Sequence, residues 1–181
     1  MYKTFIRFFT IADYEEEELW LREQHKAGWK LDKVVPPCFY RFESCGPEDT
    51  VYRLDYKNSE QTAEYMQLVR DYGWELCGNC LGWLYFRKSA DSFESEGDSE
   101  LFSDNFSKAE MAGRIAKTRL LPLAVIFLCC VVPNLLRYLN GTGRPLGTIF
   151  LWFFGIMFVV YVFLLTYCGI KLKKIRDRYR N

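Results

Sequence analysis

Two long uncharged apolar runs constrain the fold of this chain more than any other feature of its sequence. The first, residues 120–136, has 17 residues, and the second, residues 146–170, has 25. An α-helix rises about 1.5 Å per residue, so about 20 residues cross a hydrocarbon core about 30 Å thick. The alternative, a buried hairpin of a soluble domain, is disfavoured because soluble helices of this length normally carry a polar face. We therefore predict a two-helix transmembrane hairpin with spans at 120–139 and 146–170.

Basic residues flank this hairpin unevenly. Four precede the first span in residues 108–119 and six follow the second in residues 171–181, whereas the connection holds only Arg137 and Arg144. Positive charge stays on the cytoplasmic side of a membrane. We predict a multi-pass protein of the cell membrane with both termini cytoplasmic, an external loop at 140–145, and a basic tail against anionic lipid. The tail could alternatively be a nucleic-acid arm, but it would then have to leave the lipid surface.

Charge is segregated along the rest of the chain, although the whole carries a formal net charge of only +1. Residues 1–90 carry −3, residues 91–107 carry −6, and residues 108–181 carry +10. The stretch 89–107 is rich in Ser, Asp and Glu and has no apolar periodicity, which is typical of a flexible linker. We predict a cytosolic domain at 1–88, an acidic linker at 89–107 and a basic juxtamembrane segment at 108–119. The seven cysteines favour reduced thiols, because their number is odd and three lie in apolar runs.

The predicted cytosolic domain contains an internal repeat. GWKL at 28–31 recurs as GWEL at 73–76, which is 45 positions later, and Tyr40 matches Tyr85 at the same offset. Each tetrapeptide follows a helix-like stretch, and each stretch follows a strand-like aromatic and β-branched run. The glycine that opens each tetrapeptide stands where a helix end favours a left-handed residue. Chance identity of four residues does not explain this shared order.

The same offset pairs the starts of the two helices. Asp13 and Asn58 are suited to be N-caps, and each has Glu or Gln three residues later. The expected apolar positions are Leu19, Trp20 and Ala27 in the first helix, and Tyr65, Leu68, Val69 and Tyr72 in the second. The residues after each helix are predicted to form one strand, roughly WKLDKVVPPCFYRFE in the first copy and WELCGNCLGWLYFRK in the second, so each copy is βαβ. We predict the α+β class and a ferredoxin-like βαββαβ sandwich with a four-stranded antiparallel sheet.

Several segments resemble the DUF2812 family: GWKL, PPCFYRFE, VYRLDY, EYMQLVRDYGWEL and GWLYFRK. The resemblance covers residues 1–90. It implies a bacterial protein, mainly of Firmicutes, in which this domain is followed by membrane spans. It implies no activity, and the presence of PadR-type regulators near some members suggests a regulatory setting.

The CGNC segment, Cys77 to Cys80, is the sharpest chemical motif, and with Cys38 and Cys45 it could form a four-thiolate zinc site. In the predicted fold the two cysteine pairs lie on opposite edges of the sheet, about 14 Å apart, which excludes one shared metal. A redox-active pair favours a helix N-terminus, whereas this one lies on a predicted strand or bulge near Gly78. We predict structural thiols and no metal, and a redox role for Cys77 and Cys80 stays open.

No other residue indicates catalysis. His25 is the single histidine and lies among charged residues late in the first helix, so we predict a solvated surface position. The run Glu15 to Glu18 complements the dipole of the first helical turn, and we predict that it forms a solvated face. The sequence has no phosphate loop, nucleophile elbow or metalloprotease motif. We predict no catalytic, cofactor-binding or metal-binding residues and expect that the protein is not an enzyme.

The βαββαβ order also occurs in RNA-binding domains, and this sheet is rich in aromatic residues: Phe5, Phe8, Phe9, Tyr52 and Tyr56. The net charge of −3 would repel phosphate, so we expect no nucleic acid. An aromatic face would suit a protein partner, self-association or a small apolar ligand. We predict an integral membrane protein with a cytosolic binding or sensing module that is regulatory and non-catalytic. The alternative is an accessory subunit of a transporter or other membrane complex that acts through its spans.

Overall fold

The chain has the predicted α+β class and folds into two compact units, Met1–Met111 and Ala112–Asn181. The structure is a computed structural model, and it describes residues 1–56, 63–93, 105–140 and 147–180.

The first unit consists of two βαββ repeats. The first repeat comprises β1 (Tyr2–Ile6), α1 (Tyr14–Lys26), β2 (Trp29–Val35) and β3 (Phe39–Ser44). The second comprises β4 (Thr50–Tyr56), α2 (Ala63–Asp71), β5 (Glu75–Cys80) and β6 (Trp83–Ser89). A short 3-10 turn, Ala90–Ser92, follows β6.

Each repeat forms its own three-stranded antiparallel sheet. The strand orders are β1-β3-β2 and β4-β6-β5. The described residues therefore form two sheets where the sequence predicted one four-stranded sheet, and the ferredoxin-like arrangement is not confirmed. The error has one cause in both copies: the stretch after each helix was taken as a single strand, but it reverses halfway and forms a hairpin.

The two hairpin turns explain why these reversals are hard to see in the sequence. Pro36, Pro37 and Cys38 connect β2 to β3, and proline cannot donate to a sheet ladder. Leu81 and Gly82 connect β5 to β6, with φ angles of 49° and 85°. Two successive positive φ angles define a type I′ turn, whose usual sequence is Asn-Gly or Asp-Gly. A leucine in the first position hides the turn.

The backbone details of the repeat agree between the copies. Gly28 has φ 86° and Gly73 has φ 79°, as their predicted positions at helix ends require. At the end of α2 the backbone N–H groups of Gly73 and Trp74 donate to the carbonyl oxygens of Arg70 and Val69, respectively. This is the hydrogen-bond pattern of a Schellman motif. The pairing register shifts at Asp32 in the first sheet and at Cys77 in the second, again 45 positions apart.

Helix α1 packs with the larger apolar side chains of the first sheet. Trp20 contacts Phe5, Tyr40 and Phe42 at ring-centroid distances of 5.0–6.2 Å. Leu19, which was predicted to be apolar contact surface, is 59 % exposed. The buried positions of α1 are Tyr14, Glu17, Trp20, Leu21 and His25.

Helix α2 packs on the second sheet through Met66 and Val69. Leu68 and Tyr72, which the sequence placed on the apolar stripe, are exposed. The core of this repeat consists of Val51, Met66, Val69, Trp74, Leu84 and Phe86.

The predicted N-caps have different outcomes. Asp13 is the N-cap of α1, but its side chain makes no hydrogen bond to the helix. Its Oδ2 instead accepts from the backbone N–H and the hydroxyl of Thr10, at 2.9 and 2.6 Å. Asn58 lies outside the described residues.

The second unit contains most of the C-terminal helical segments. The segments are α3 (Asn105–Ile115), α4 (Leu121–Ile126), α5 (Val132–Leu139) and α6 (Gly147–Arg180), with π turns at Ala116–Leu120 and Phe127–Val131. Phe127 contacts Phe158 and Tyr161, whereas Tyr138 contacts Phe150 and Phe154. Later residues of one segment meet earlier residues of the other, so the two helices are antiparallel.

In the helical segments between Asn105 and Leu139, each π turn is followed by a proline. Pro122 and Pro133 lie at the starts of α4 and α5. Because proline has no N–H, it leaves a carbonyl one turn earlier without its usual donor, and a π turn locally adjusts the ladder. Asn134 donates from its side chain to the Cys130 carbonyl at 2.7 Å. This bond lets a polar side chain be tolerated among apolar ones.

Two helices are long and apolar enough to cross a bilayer. They cover Lys108–Leu139 and Thr148–Tyr179, and an 18-residue window within each has a mean hydropathy of 2.1 and 2.5, respectively. These stretches contain most of the predicted spans at 120–139 and 146–170, and they are consistent with a membrane protein. The predicted loop at 140–145 lies largely outside the described residues. Residues 94–104 of the predicted linker also lie outside them.

Candidate binding site at the repeat junction

Glu17 joins the two repeats. Its Oε1 atom accepts hydrogen bonds from the hydroxyls of Tyr40 and Tyr85, each at 2.8 Å. These tyrosines are the pair that the sequence repeat matched. Burial raises the pKa of the Glu17 carboxyl, and the two tyrosine hydrogen bonds oppose that rise only in part. The predicted solvated run Glu15 to Glu18 therefore contains a buried junction residue.

The next residue of the run, Glu18, also serves the fold. Its carboxylate accepts from the Leu54 backbone N–H at 2.7 Å and from Arg53 at 3.3 Å. Leu54 lies on β4, an edge strand of the second sheet. Glu18 thus occupies part of the hydrogen-bonding edge of that strand, which protects it from unwanted pairing.

His25 is buried, which contradicts the predicted surface position. Its Nδ1 lies 2.8 Å from the Tyr52 hydroxyl and its Nε2 lies 3.5 Å from the Thr50 hydroxyl. Burial lowers the pKa of His25, and the charge of Arg87 lowers it further. The neutral imidazole is therefore favoured, and it connects the end of α1 to β4 of the other repeat.

A cavity of about 500 Å³ opens beside His25. Its walls include the third residue of each repeated tetrapeptide, Lys30 from GWKL and Glu75 from GWEL. Arg87 and Lys88 from β6 and Glu48 from the connection before β4 also line it. We call this cavity the junction pocket, because both repeats contribute to its wall.

Ion pairs fix two walls of the junction pocket. Arg87 donates to both Glu75 oxygens, at 2.7 and 2.8 Å, and this hydrogen bonding lowers the pKa of Glu75. Lys30 pairs with Glu43 at 2.9 Å. Bidentate arginine–carboxylate pairs are geometrically specific, so the guanidinium of Arg87 is held in one orientation.

Lys88 and Glu48 contribute charges of opposite sign to the same pocket. The Lys88 ammonium lies 4.8 Å from the centre of the Phe93 ring. Neither residue has a salt bridge among the described residues. These two side chains are the wall charges that a ligand could engage without first breaking a described ion pair.

The cysteines are less reactive than the CGNC motif suggests. The Cys77 thiol lies at the bulge of β5 and donates to the Tyr85 carbonyl at 3.2 Å. Burial raises the pKa of Cys77 to about 12 and also raises that of Cys80. Both thiols are therefore protonated at neutral pH, and the thiolate is the reactive form.

The structure changes the argument that separated the cysteines. Strands β2 and β5 lie against each other, so the cysteine-bearing segments are not on opposite edges of one sheet. Even so, the described residues contain no group of three or more His, Cys, Asp or Glu side chains that could hold a metal ion. Cys38, Cys45, Cys77 and Cys80 are all free thiols.

The aromatic residues expected on an open face are mostly in the core. Tyr52 and Tyr56 are fully buried, and Phe9 contacts Trp20 and Tyr40. Phe8 alone among the five is largely exposed, at 76 %.

Part of the chain matches the model of a known protein family. The model of DUF2812, described as a protein of unknown function, matches residues 13–124. The chain belongs to the DUF2812 family. The DUF2812 match begins after β1 and extends beyond the predicted limit of residue 90 into α4. No curated protein and no solved structure matches the chain significantly.

Sequence reasoning missed the residues that build the junction pocket of this DUF2812 protein. Lys30 and Glu75 occupy the one position at which GWKL and GWEL differ. Both are charged, and this shared charged position was the signal from which the pocket wall could have been predicted. Glu17 and His25 gave no such signal, because charged and polar residues in a helix are usually solvated.

Proposed function

We propose that this protein is a membrane-anchored binding module, regulatory and non-catalytic, whose first unit lies in the cytoplasm and holds a small polar ligand in the junction pocket. The junction pocket carries the proposal. Its volume falls within the usual range of small-molecule sites, about 300–1,000 Å³. Its walls are positioned by ion pairs and by buried hydrogen bonds, so they form without a large rearrangement.

The charges of the pocket indicate the class of ligand. Arg87 and Lys30 are neutralised by carboxylates, which leaves the Lys88 ammonium and the Glu48 carboxylate as complementary partners. A small zwitterion, such as an amino acid, offers a carboxylate to Lys88 and an ammonium to Glu48. Burial raises the pKa of the Cys77 and Cys80 thiols, which disfavours thiolate chemistry at those two positions.

A thermal-shift screen of the full chain in nanodiscs tests this proposal. Amino acids, dicarboxylates and polyamines are compared at millimolar concentration. We expect a saturable rise in melting temperature with an amino acid. The rise should be lost in Lys88→Gln and kept in the matched control Lys33→Gln, because Lys33 lies outside the pocket. Binding that both variants retain, or no binding by any of these classes, would contradict the pocket assignment.

The basic residues that flank the candidate spans support a cytoplasmic location for the first unit. Ten Lys or Arg residues lie in 108–119 and 171–181, and two, Arg137 and Arg144, lie between the uncharged runs 120–136 and 146–170. This bias favours cytoplasmic termini. In sealed right-side-out cells or vesicles, protease added outside should leave the first unit intact, and its digestion there would contradict the orientation.

An accessory subunit is the second candidate, and the outer surface of the helices favours it. Trp152, Phe153 and Ile156 on α6 are all more than half exposed in the isolated chain. Inside a bilayer such a surface can face either lipid or helices of another protein. Replacing both spans by unrelated apolar helices separates the candidates. The binding module keeps its ligand after this exchange, whereas an accessory subunit loses the complex with which it copurifies.

A further inference from the structure

One face of the first sheet is left open by the packing of the first unit. Inward-pointing Tyr40 and Phe42 contact α1, so their neighbours on β3 point to the opposite face. At the end of the sheet nearest the β2–β3 turn, Phe39 pairs with Ile6 on one side and Val35 on the other. These three side chains form one apolar row across three strands, and they are 40–66 % exposed.

The apolar row continues into the adjacent loops. Phe8 follows Arg7, whose backbone N–H donates to the Cys38 carbonyl at 3.0 Å, so this segment stays beside the β2–β3 turn. Pro36 and Pro37 form the exposed end of that turn. We call this surface the apolar tip, and it consists of Ile6, Phe8, Val35, Pro36, Pro37 and Phe39.

Basic residues border the apolar tip, although residues 1–90 carry a net charge of −3. The next row of the sheet places Arg41 beside Lys33. Arg7 does not belong to this border, because its guanidinium lies 5.1 Å from the centres of the Phe9 and Trp20 rings, on the α1 side of the sheet. Asp32 is the acidic neighbour of the border and is bound to Arg41. The border therefore has net positive charge, opposite in sign to the rest of its unit.

We propose that the apolar tip is a peripheral docking site for an anionic phospholipid surface. Apolar and aromatic side chains bordered by Lys and Arg are the composition that partitions into the headgroup region of anionic bilayers. The charge of the border is attracted to such a surface and gains no comparable attraction from a neutral one. Because the same chain carries two helices able to cross a bilayer, a lipid surface is always at high effective concentration, and modest affinity suffices.

Hydrogen exchange of the full chain in nanodiscs tests the docking proposal. Nanodiscs of phosphatidylcholine alone are compared with nanodiscs that also contain phosphatidylglycerol. We expect slower amide exchange at residues 6–9 and 33–39 in the anionic discs only, with no change in α2. One basic side chain near an anionic surface changes the binding constant about fivefold, so Lys33→Glu should remove most of the protection.

Matched variants separate docking from a change in folding. Phe8→Ser removes an exposed tip residue, and Leu68→Ser removes a similarly exposed residue of α2. Docking requires that the first variant loses the lipid-dependent protection and the second keeps it, with equal thermal unfolding. Equal protection in both kinds of disc, or protection that rises with the number of chains per disc, would overturn the proposal; the second result would assign the tip to self-association.

Discussion

At the scale of single residues, Glu17 and His25 account for the connection between the repeats. Glu17 receives one tyrosine from each repeat, and His25 of the first repeat bonds to Tyr52 of the second. The sequence could not reveal either role. Both residues lie in a helix whose surroundings in the sequence are charged, and only the position of the other repeat buries them.

Replacing Glu17 tests the junction directly. Glu17→Leu leaves two buried tyrosine hydroxyls without their acceptor, which costs about 1–3 kcal/mol for each hydroxyl. Glu17→Gln keeps a carbonyl oxygen in the same place, so we expect a change within about 1 kcal/mol. Chemical unfolding of the full chain in detergent, followed through the first unit, measures both. Equal stability of the two variants would show that the tyrosine bonds do not hold the repeats together.

The lowered pKa of His25 predicts a pH dependence. In the unfolded chain the pKa of the histidine is about 6.5. The folded form binds its proton only at lower pH, so the stability contributed by neutral His25 is complete above that value and is lost as pH falls through the folded pKa. The slope for one proton cannot exceed about 1.4 kcal/mol per pH unit.

The control for this prediction is His25→Gln. Glu17 has a raised pKa and acts in the opposite direction, because its protonation favours the folded state as pH falls. Unfolding measured between pH 7.5 and 5.5 in both proteins cancels the Glu17 contribution. Wild type should lose stability relative to His25→Gln over this range, and parallel pH curves would contradict the burial of His25.

At the scale of elements, the repeat was visible in the sequence and its strand content was not. Gly28 and Gly73 marked both helix ends, since their left-handed backbone is a local requirement. The hairpins depend on Pro36, Pro37 and Leu81, and a leucine at a type I′ turn follows no common sequence preference. Two hairpin strands therefore looked like one long strand, and the sheet count was wrong.

The two helix-end glycines should differ in their tolerance of alanine. A Cβ on Gly28 would lie 3.2 Å from the Cys45 carbonyl oxygen, whereas on Gly73 it would first meet the movable end of Lys88 at 3.4 Å. Positive φ alone costs a non-glycine residue about 1–2 kcal/mol. We expect Gly73→Ala to lose about that amount and Gly28→Ala to lose more, because backbone must shift.

Gly46→Ala is the matched control, since a Cβ there has no neighbour within 4 Å. Its melting temperature should stay close to that of the wild type. The predicted order of stability is Gly46→Ala, then Gly73→Ala, then Gly28→Ala. A reversed order of the last two would contradict the close approach of Cys45 to the first helix end.

At the scale of the whole molecule, composition was the most informative property. Uncharged runs and segregated charge predicted two spanning helices after an acidic segment, and the described helices agree with that pattern. The direction of insertion stays a prediction, and it rests only on the flanking Lys and Arg residues. The junction pocket was not predictable from the sequence. It depends on how the two repeats pack against each other, and each repeat has one strand more than predicted.

We propose that this DUF2812 protein presents its first unit to the cytoplasm on two spans. The most direct measurement uses paired topology reporters, one that is active only in the cytoplasm and one that is active only outside. Each is fused after residue 181 and, separately, inserted between residues 142 and 143. We expect cytoplasmic activity at residue 181 and external activity at the insertion. External activity at residue 181, or cytoplasmic activity at both positions, would contradict it.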